Sequence, residues 1–314
     1  MLTFILRRLG LAALSIVGIM VIVFLALHAI PGDVALILLD QEVTPELLAQ
    51  LRNDLGLDRP LHVQFISWAA AALRGDLGES FRTGSDVTAQ LVRRYGITIQ
   101  LAAMASVLSV VIGVPTGIIS AIKRGSTFDY ASRTVALLGI SIPNFWLGIL
   151  LILLFSLQLR LLPTGGYVPP GESLMLNMQR MLMPSLTLGA AMAAVVMRMT
   201  RSALLETLAQ DYTRTARAKG LAERYVIGVH ALRNALIPVI TIVGLQLGHI
   251  LGGTVVVEEV FSLPGVGRLV VRAIYQRDYP VVQGGVLVLA ASYVLINLLV
   301  DLLYSVIDPR IKYD

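Results

Sequence analysis

The 314-residue chain contains no cysteine, so it forms no disulfide, offers no thiolate nucleophile and builds no Cys-ligated zinc site. It has no G-x-x-x-x-G-K-[ST] loop, and hence no visible means of cradling ATP phosphates. H-E-x-x-H and G-x-S-x-G are also missing. The four histidines (His28, His62, His230, His249) are scattered rather than paired at ligand spacing. Ser120–Lys123 matches Ser-x-x-Lys in form, but at the end of an apolar run Lys123 reads as a charge anchor. No catalytic or metal site is expected, and no cofactor bound by the chain itself. Charge is scarce too, at 14% of residues.

Apolar residues dominate instead. They make up 56% of the chain, and a mean hydropathy of +0.78 is foreign to a soluble globular domain. A hydrocarbon core of about 30 Å needs roughly 20 apolar residues per helix. Six stretches meet that length, at about 9–30, 98–122, 133–157, 184–204, 236–257 and 284–307. The expected class is an all-α membrane protein with six transmembrane helices.

Residues 1–30 read as a retained first span. A cleaved signal peptide is the alternative, with small residues near Ala26 and Ala29, but the apolar run exceeds a usual signal core. Residues 31–97 form a mixed segment outside the membrane. In it Thr44 predicts an N-cap, Pro45 a first helical position and Gly56 a stop, and "QFISWAAAAL" predicts a surface helix with Trp68 at the interface. Residues 98–307 are expected to hold a five-helix core with a cytoplasmic loop at 205–235, and 308–314 a cytoplasmic tail.

The net charge of +5 and the pI near 9.6 raise the question of nucleic acid. Charge counting answers it. With both termini inside, residues 1–8, 123–133, 198–235 and 308–314 hold 14 of the 25 Lys and Arg and a net charge of +8, against −2 outside. This N-in, C-in arrangement obeys the positive-inside rule, and the basic excess needs no nucleic-acid partner.

Small and polar residues inside the spans suggest packing or a pathway. Gly244, Gly248 and Gly252 recur every four residues, as do Gly113 and Gly117, a spacing that lets helix backbones approach closely or thins a face along a channel. Ser141, Asn144, Gln246 and His249 are single polar groups suited to interhelical hydrogen bonds or to substrate contact. Pro115 and Pro143 lie within spans, where each would kink its helix or free a carbonyl. Asp301 lies one turn from Asn297, and no ladder of membrane carboxylates resembles a proton relay.

The exception to this apolar text is "DYTRTARAKGLAER", Asp211 to Arg224. Arg214, Arg217 and Lys219 precede Gly220, which can end one helix and start the next. Leu221, Tyr225 and Val229 would share a helical face against the ends of other spans. Such an element either docks in a partner's groove or grips anionic lipid headgroups.

The stretch "DYTRTARAKGLAERYVIGVHALRNALIP" resembles the cytoplasmic loop of permease subunits of bacterial ABC importers, in the dipeptide/oligopeptide/nickel branch. Arg214-Thr215-Ala216 takes the place of the family's Glu-Ala-Ala group, Gly220 that of its glycine, and Ile237-Pro238 that of its Leu-Pro. "SIPNFWLGILLI", "VVVEEVFSLPGVGRL", "RDYPVVQG" and "INLLVDLLYSVIDPRI" extend the likeness along nearly the whole chain; "PGDV" at Pro31–Val34 departs from it locally.

The resemblance implies a type I importer-like permease in the bacterial cytoplasmic (inner) membrane. It implies a coupling helix at Arg214, Thr215, Ala216, Arg217, Ala218, Lys219, Gly220 and Leu221. It also implies a second homologous permease subunit, two ATP-binding subunits carrying ATP and Mg, and an extracytoplasmic solute-binding protein. The cargo would be a peptide or similar small solute. Phe261, Pro264, Gly265 and Gly267 are a candidate external gate, since this stretch re-enters an apolar setting. An ATP-independent secondary transporter or channel is the alternative; it predicts charged or unwound elements within the spans, which are sparse here.

Overall fold

A computed structural model describes residues 2–29, 44–54 and 56–307; the Pro31–Val34 turn and the 308–314 tail lie outside the described residues. Helices dominate. In chain order they are α1 (Leu2–His28), α2 (Pro45–Asp54), α3 (Leu61–Leu73), α4 (Val87–Ile122), α5 (Thr127–Ser141) and α6 (Asn144–Leu151). α6 runs on as a π-helical segment, Ile152–Gln158, followed by α7 (Leu174–Leu208), α8 (Asp211–Ala218) and the short α9 (Glu223–Tyr225). A π-helical turn, Val226–Ala231, leads into α10 (Leu232–Val260), and α11 (Val266–Gln276) and α12 (Tyr279–Ile307) complete the order. Among the described residues, five helices are long and apolar enough to cross a membrane, and a bent pair makes a sixth.

Local chemistry accounts for several helix ends. Thr44 Oγ1 accepts from Leu47 N at 3.2 Å at the start of α2, and Gly56 takes φ +67° just beyond it. Ser126 Oγ accepts from Asp129 N at 3.3 Å and opens α5. The third span, read over 133–157, is broken rather than merely kinked at Pro143. Ile142 and Pro143 break it, and α5 and the α6 segment meet at 111°. A residue before proline is pushed out of the helical region, and Ile142 sits at φ −79°, ψ 125°. Pro115, by contrast, stays inside continuous α4.

The chain divides into two compact units. One comprises Met1–Ile97 with Pro264–Leu298, the other Thr98–Leu263 with Leu299–Lys312. In the first, Leu27, Leu77, Val87, Leu91, Val266 and Val270 belong to one buried cluster. Phe24 of α1 meets Phe65 of α3 edge-on at 5.4 Å and stacks with Trp68 at 6.4 Å. Asp278, 3% exposed, accepts from Ser80 Oγ and from Phe81 N, so the loop before α4 is pinned to the α11–α12 turn.

In the second unit α7 is central. α4 lies so close to it that a Cβ on Gly113 would stand 2.7 Å from Ala193 O, one on Gly117 2.6 Å from Met197 O, and one on Gly189 2.6 Å from Ala105 O. Small residues are what permit this approach. Thr98 Oγ1 donates to the fully buried Glu258 at 2.7 Å, joining α4 to α10.

Candidate functional site

The charged stretch after α7 forms one short helix. α8 begins after Gln210, carries Asp211 in its first turn and ends at Ala218. Gly220 N donates to Arg217 O at 2.9 Å and Leu221 N to Ala216 O at 3.4 Å, the paired bonds of a Schellman ending. That ending needs a left-handed residue, and Gly220 supplies φ +77°. A Cβ there would meet nothing within 4 Å, so the requirement is conformational rather than steric.

Although exposed, α8 is fastened on both sides. Buried Thr213 directs Oγ1 to Gln210 O at 2.6 Å and to Leu208 O, the last residue of α7, at 3.0 Å. Arg217 pairs with Glu223 through Nε (3.0 Å) and Nη2 (2.7 Å), and its Nη1 reaches Leu208 O at 3.4 Å. The hydrogen bond to Glu223 raises the Arg217 pKa further, with partial burial opposing it. Asn234 Nδ2 of α10 donates to Tyr212 Oη at 3.1 Å. Arg214 keeps a side chain 72% exposed, paired only loosely with Asp211 at 3.4 Å. The outer surface of α8 is therefore cationic and open, while its inner surface is tied to α7 and α10.

The face expected at Leu221, Tyr225 and Val229 is a correction. These three are 38%, 51% and 46% exposed, whereas Val226, Ala231 and Ala235 are the buried ones. The Val226–Ala231 turn is π-helical, so the buried positions Val226 and Ala231 fall five residues apart, and the four-residue spacing returns from Ala231 to Ala235. Ala231 and Ala235 pack with Ala121, Ala203 and Leu204, holding the ends of α4, α7 and α10 together beside α8.

Ser141 Oγ donates to Leu137 O at 2.9 Å, and His249 Nδ1 lies 3.1 Å from Leu245 O, each satisfied within its own helix. Asn144 opens α6 at the break, and Gln246 is half-buried on α10. Gly244 and Gly248 are buried, but Gly252 is exposed and a Cβ on it would touch nothing. Eight residues along a straight helix a position has turned by about 80°, so Gly252 no longer shares the face of Gly244; on another face, a Cβ on Gly253 would stand 2.8 Å from Leu188 Cδ1.

Of the gate candidates, Phe261 is 1% exposed and its carbonyl accepts from Gly166 N at 2.9 Å. A Cβ on Gly165 would collide with that carbonyl, and one on Gly148 would meet the Phe261 ring at 3.0 Å. Pro264 and Gly265 precede α11, and Gly267 is buried in its first turn.

Sequence reasoning missed the buried ion pair at the α8 end of the second unit. Asp129 accepts from Arg201 Nε (2.7 Å) and Nη2 (2.9 Å), Ser120 Oγ (2.6 Å) and Gly125 N (3.0 Å). Only the Ser126–Asp129 spacing of a helix start pointed at it. Glu258 and Asp278 were likewise unassigned, though Glu258, an acidic residue at the end of an apolar run, is itself a signal.

Residues 113–313 match the family model described as binding-protein-dependent transport system inner membrane component, and residues 1–102 match the model of its N-terminal region. The dipeptide transport system permease protein DppB of Escherichia coli (strain K12) is 43% identical over 337 aligned residues, covering 100% of this chain and 99% of that protein. The glutathione transport system permease protein GsiC of Salmonella choleraesuis (strain SC-B67) is 43% identical over 313 residues, covering 100% of both. A solved chain of the inward-facing MetNI methionine ABC transporter shares the fold, with a TM-score of 0.56 and 22% identity over 69% of this chain and 96% of that one. With models matching along nearly its whole length and full-length relatives at this identity, the chain belongs to the binding-protein-dependent transport system inner membrane component family and is a multi-pass inner-membrane permease subunit of an ATP-driven importer.

Proposed function

We propose that the chain forms half of a translocation pathway for small peptides and is driven through Arg214–Leu221 by separate ATP-binding subunits. The observation that carries this reading is the double fastening of α8: an exposed cationic helix bonded through Thr213 and Arg217 to the end of α7 and through Tyr212 to α10. A short helix held this way cannot move alone. When two ATP-binding subunits close on ATP and Mg, a groove that grips α8 displaces it, and α7 and α10 move with it. The outcome is alternating access biased by a partner's ligand.

Membership of the family supports the rest of the assembly in outline. A second, related permease supplies the other half of the pathway, and an extracytoplasmic solute-binding protein delivers cargo. The chain runs N-in, C-in, with residues 31–97 outside as the surface for that protein, the core at 98–307 and the tail 308–314 inside. Ser141, Asn144, Gln246 and His249 are the polar groups available to the pathway, and Phe261, Pro264, Gly265 and Gly267 the external gate. The cargo reading is supported by relatives named for dipeptide and glutathione transport, both small peptides.

Purification with the ATP-binding subunits and uptake of labelled dipeptide and glutathione test this. A left-handed conformation costs an ordinary residue about 1–2 kcal/mol, and asparagine less. Gly220→Val is expected to lower uptake roughly five-fold or more on that penalty, while Gly220→Asn retains most of it. Unchanged uptake in Gly220→Val, or a purified chain carrying no ATP-binding subunit, refutes the coupling role.

A further inference from the structure

A second basic feature lies in the helix bundle itself, lined by none of the residues of α8. Arg133 of α5 and Arg198, Arg201 and Ser202 of α7 line one open cleft of about 510 Å³. Its remaining walls are apolar: Val195 and Met199 of α7 and Ile242 of α10. Val195, Arg198, Met199 and Ser202 recur at the i, i+3, i+4, i+7 positions of a single helix face. Arg198 stands ten residues before the end of α7 at Leu208, on the order of 15 Å along the axis.

The charges of this cleft are unbalanced. Arg201 commits Nε and Nη2 to Asp129, whose carboxylate is then fully engaged by Ser120 and the Gly125 backbone. Among the described residues, Arg133 and Arg198 have no hydrogen bond or ion pair. Two guanidinium groups without counter-charge and a third only partly used therefore share a cavity with apolar walls. The Asp129–Arg201 pair shows what a carboxylate takes here: one planar fork. Several forks converging from two helices suit a tetrahedral phosphate instead, whose oxygens point in different directions. Beyond Arg133, the exposed Leu137 and Ile140 follow at i+4 and i+7 on the same face of α5, so an apolar surface continues from the cleft.

We propose that this cleft binds the phosphate of an anionic membrane phospholipid, with the headgroup on Arg133, Arg198 and Ser202 and the acyl chains along α5. The site is independent of the cargo and of α8. A bound phospholipid would brace α5 against α7 next to the Asp129 pair.

The test uses the full chain purified with its partner subunits in mild detergent, with retained lipid read by native mass spectrometry and stability by thermal unfolding. Phosphatidylglycerol, phosphatidylcholine and inorganic phosphate are the probes. Wild-type protein is expected to retain and be stabilised by phosphatidylglycerol but not phosphatidylcholine. Retention should fall about five-fold for each arginine removed, in Arg133→Gln, in Arg198→Gln and cumulatively in the double variant. Arg74→Gln, an equal charge change elsewhere, should retain lipid as wild type does. The single variants carry the test if the double variant fails to fold. Equal retention by wild type and both single variants overturns the proposal, as does equal stabilisation by phosphatidylcholine. Inorganic phosphate that stabilises as well as the lipid assigns the cleft to a free anion and overturns the lipid. Loss of a partner subunit with lipid retention unchanged assigns it to a subunit interface, which overturns it equally.

Discussion

Asp129 takes four hydrogen bonds from three parts of the chain: Ser120 at the end of α4, the Gly125 turn, and Arg201 of α7 twice. A carboxylate 1% exposed is tolerable only because every bond it needs is present. Breaking such a pair from one side leaves the other charge buried and uncompensated. Asp129→Asn is therefore expected to cost on the order of 3 kcal/mol, the low end for a buried pair because Arg201 keeps 18% of its side chain in contact with solvent. Arg217→Gln breaks an exposed pair and is expected to cost about 1 kcal/mol or less. Thermal unfolding of the solubilised protein compares the two, and equal shifts would contradict the assignment of Asp129 as the tie between helices. The sequence marks Asp129 as part of a helix start, but its partner lies 72 residues away, and nothing local names Arg201 among the basic residues nearby.

At the scale of elements, the spans are where hydropathy predicts them, but their internal geometry departs from straight α-helix at three points. Pro143 breaks the third span, and π-helical turns extend α6 and precede α10. Each departure changes which side chains share a face, which is why Val226 and Ala231 are buried and Leu221, Tyr225 and Val229 are not. Glycine spacing was informative where the partner helix runs alongside. Gly113 and Gly117 both press on the α7 backbone, while Gly252 touches nothing. Gly117→Leu is expected to destabilise by about 1–3 kcal/mol, since a backbone carbonyl cannot swing aside as a side chain can. Gly252→Ala should leave stability unchanged within roughly 0.5 kcal/mol. Yield and melting temperature in detergent measure both. A tolerated Gly117→Leu would mean that α4 and α7 do not pack through these glycines.

Across the whole molecule, basic residues concentrate in the segments read as cytoplasmic, including the one that holds α8. The absence of cysteine makes that arrangement directly measurable, because any introduced thiol is the only one. In intact cells with the outer membrane permeabilised, Arg74→Cys is expected to react with a membrane-impermeant maleimide. Lys219→Cys should react only once the inner membrane is opened. The reverse pattern would invert the topology and detach α8 from any cytoplasmic ATPase.

Composition, hydropathy and charge placement alone determined that this is a polytopic helical membrane protein, roughly where its apolar spans lie and where a short charged helix interrupts them. Those properties are written along the chain, since the bilayer tests each 20-residue stretch separately and turn chemistry acts within a few residues. Tertiary structure alone decided which polar groups meet: Asp129 with Arg201, Thr98 with Glu258 across 160 residues, Ser80 with Asp278 across 198. It also decided the 111° angle of the bend that Pro143 makes possible, and left Arg133 and Arg198 facing one cleft. A buried charge must find its partner wherever packing brings one, and packing is a property of pairs of helices rather than of any stretch of sequence.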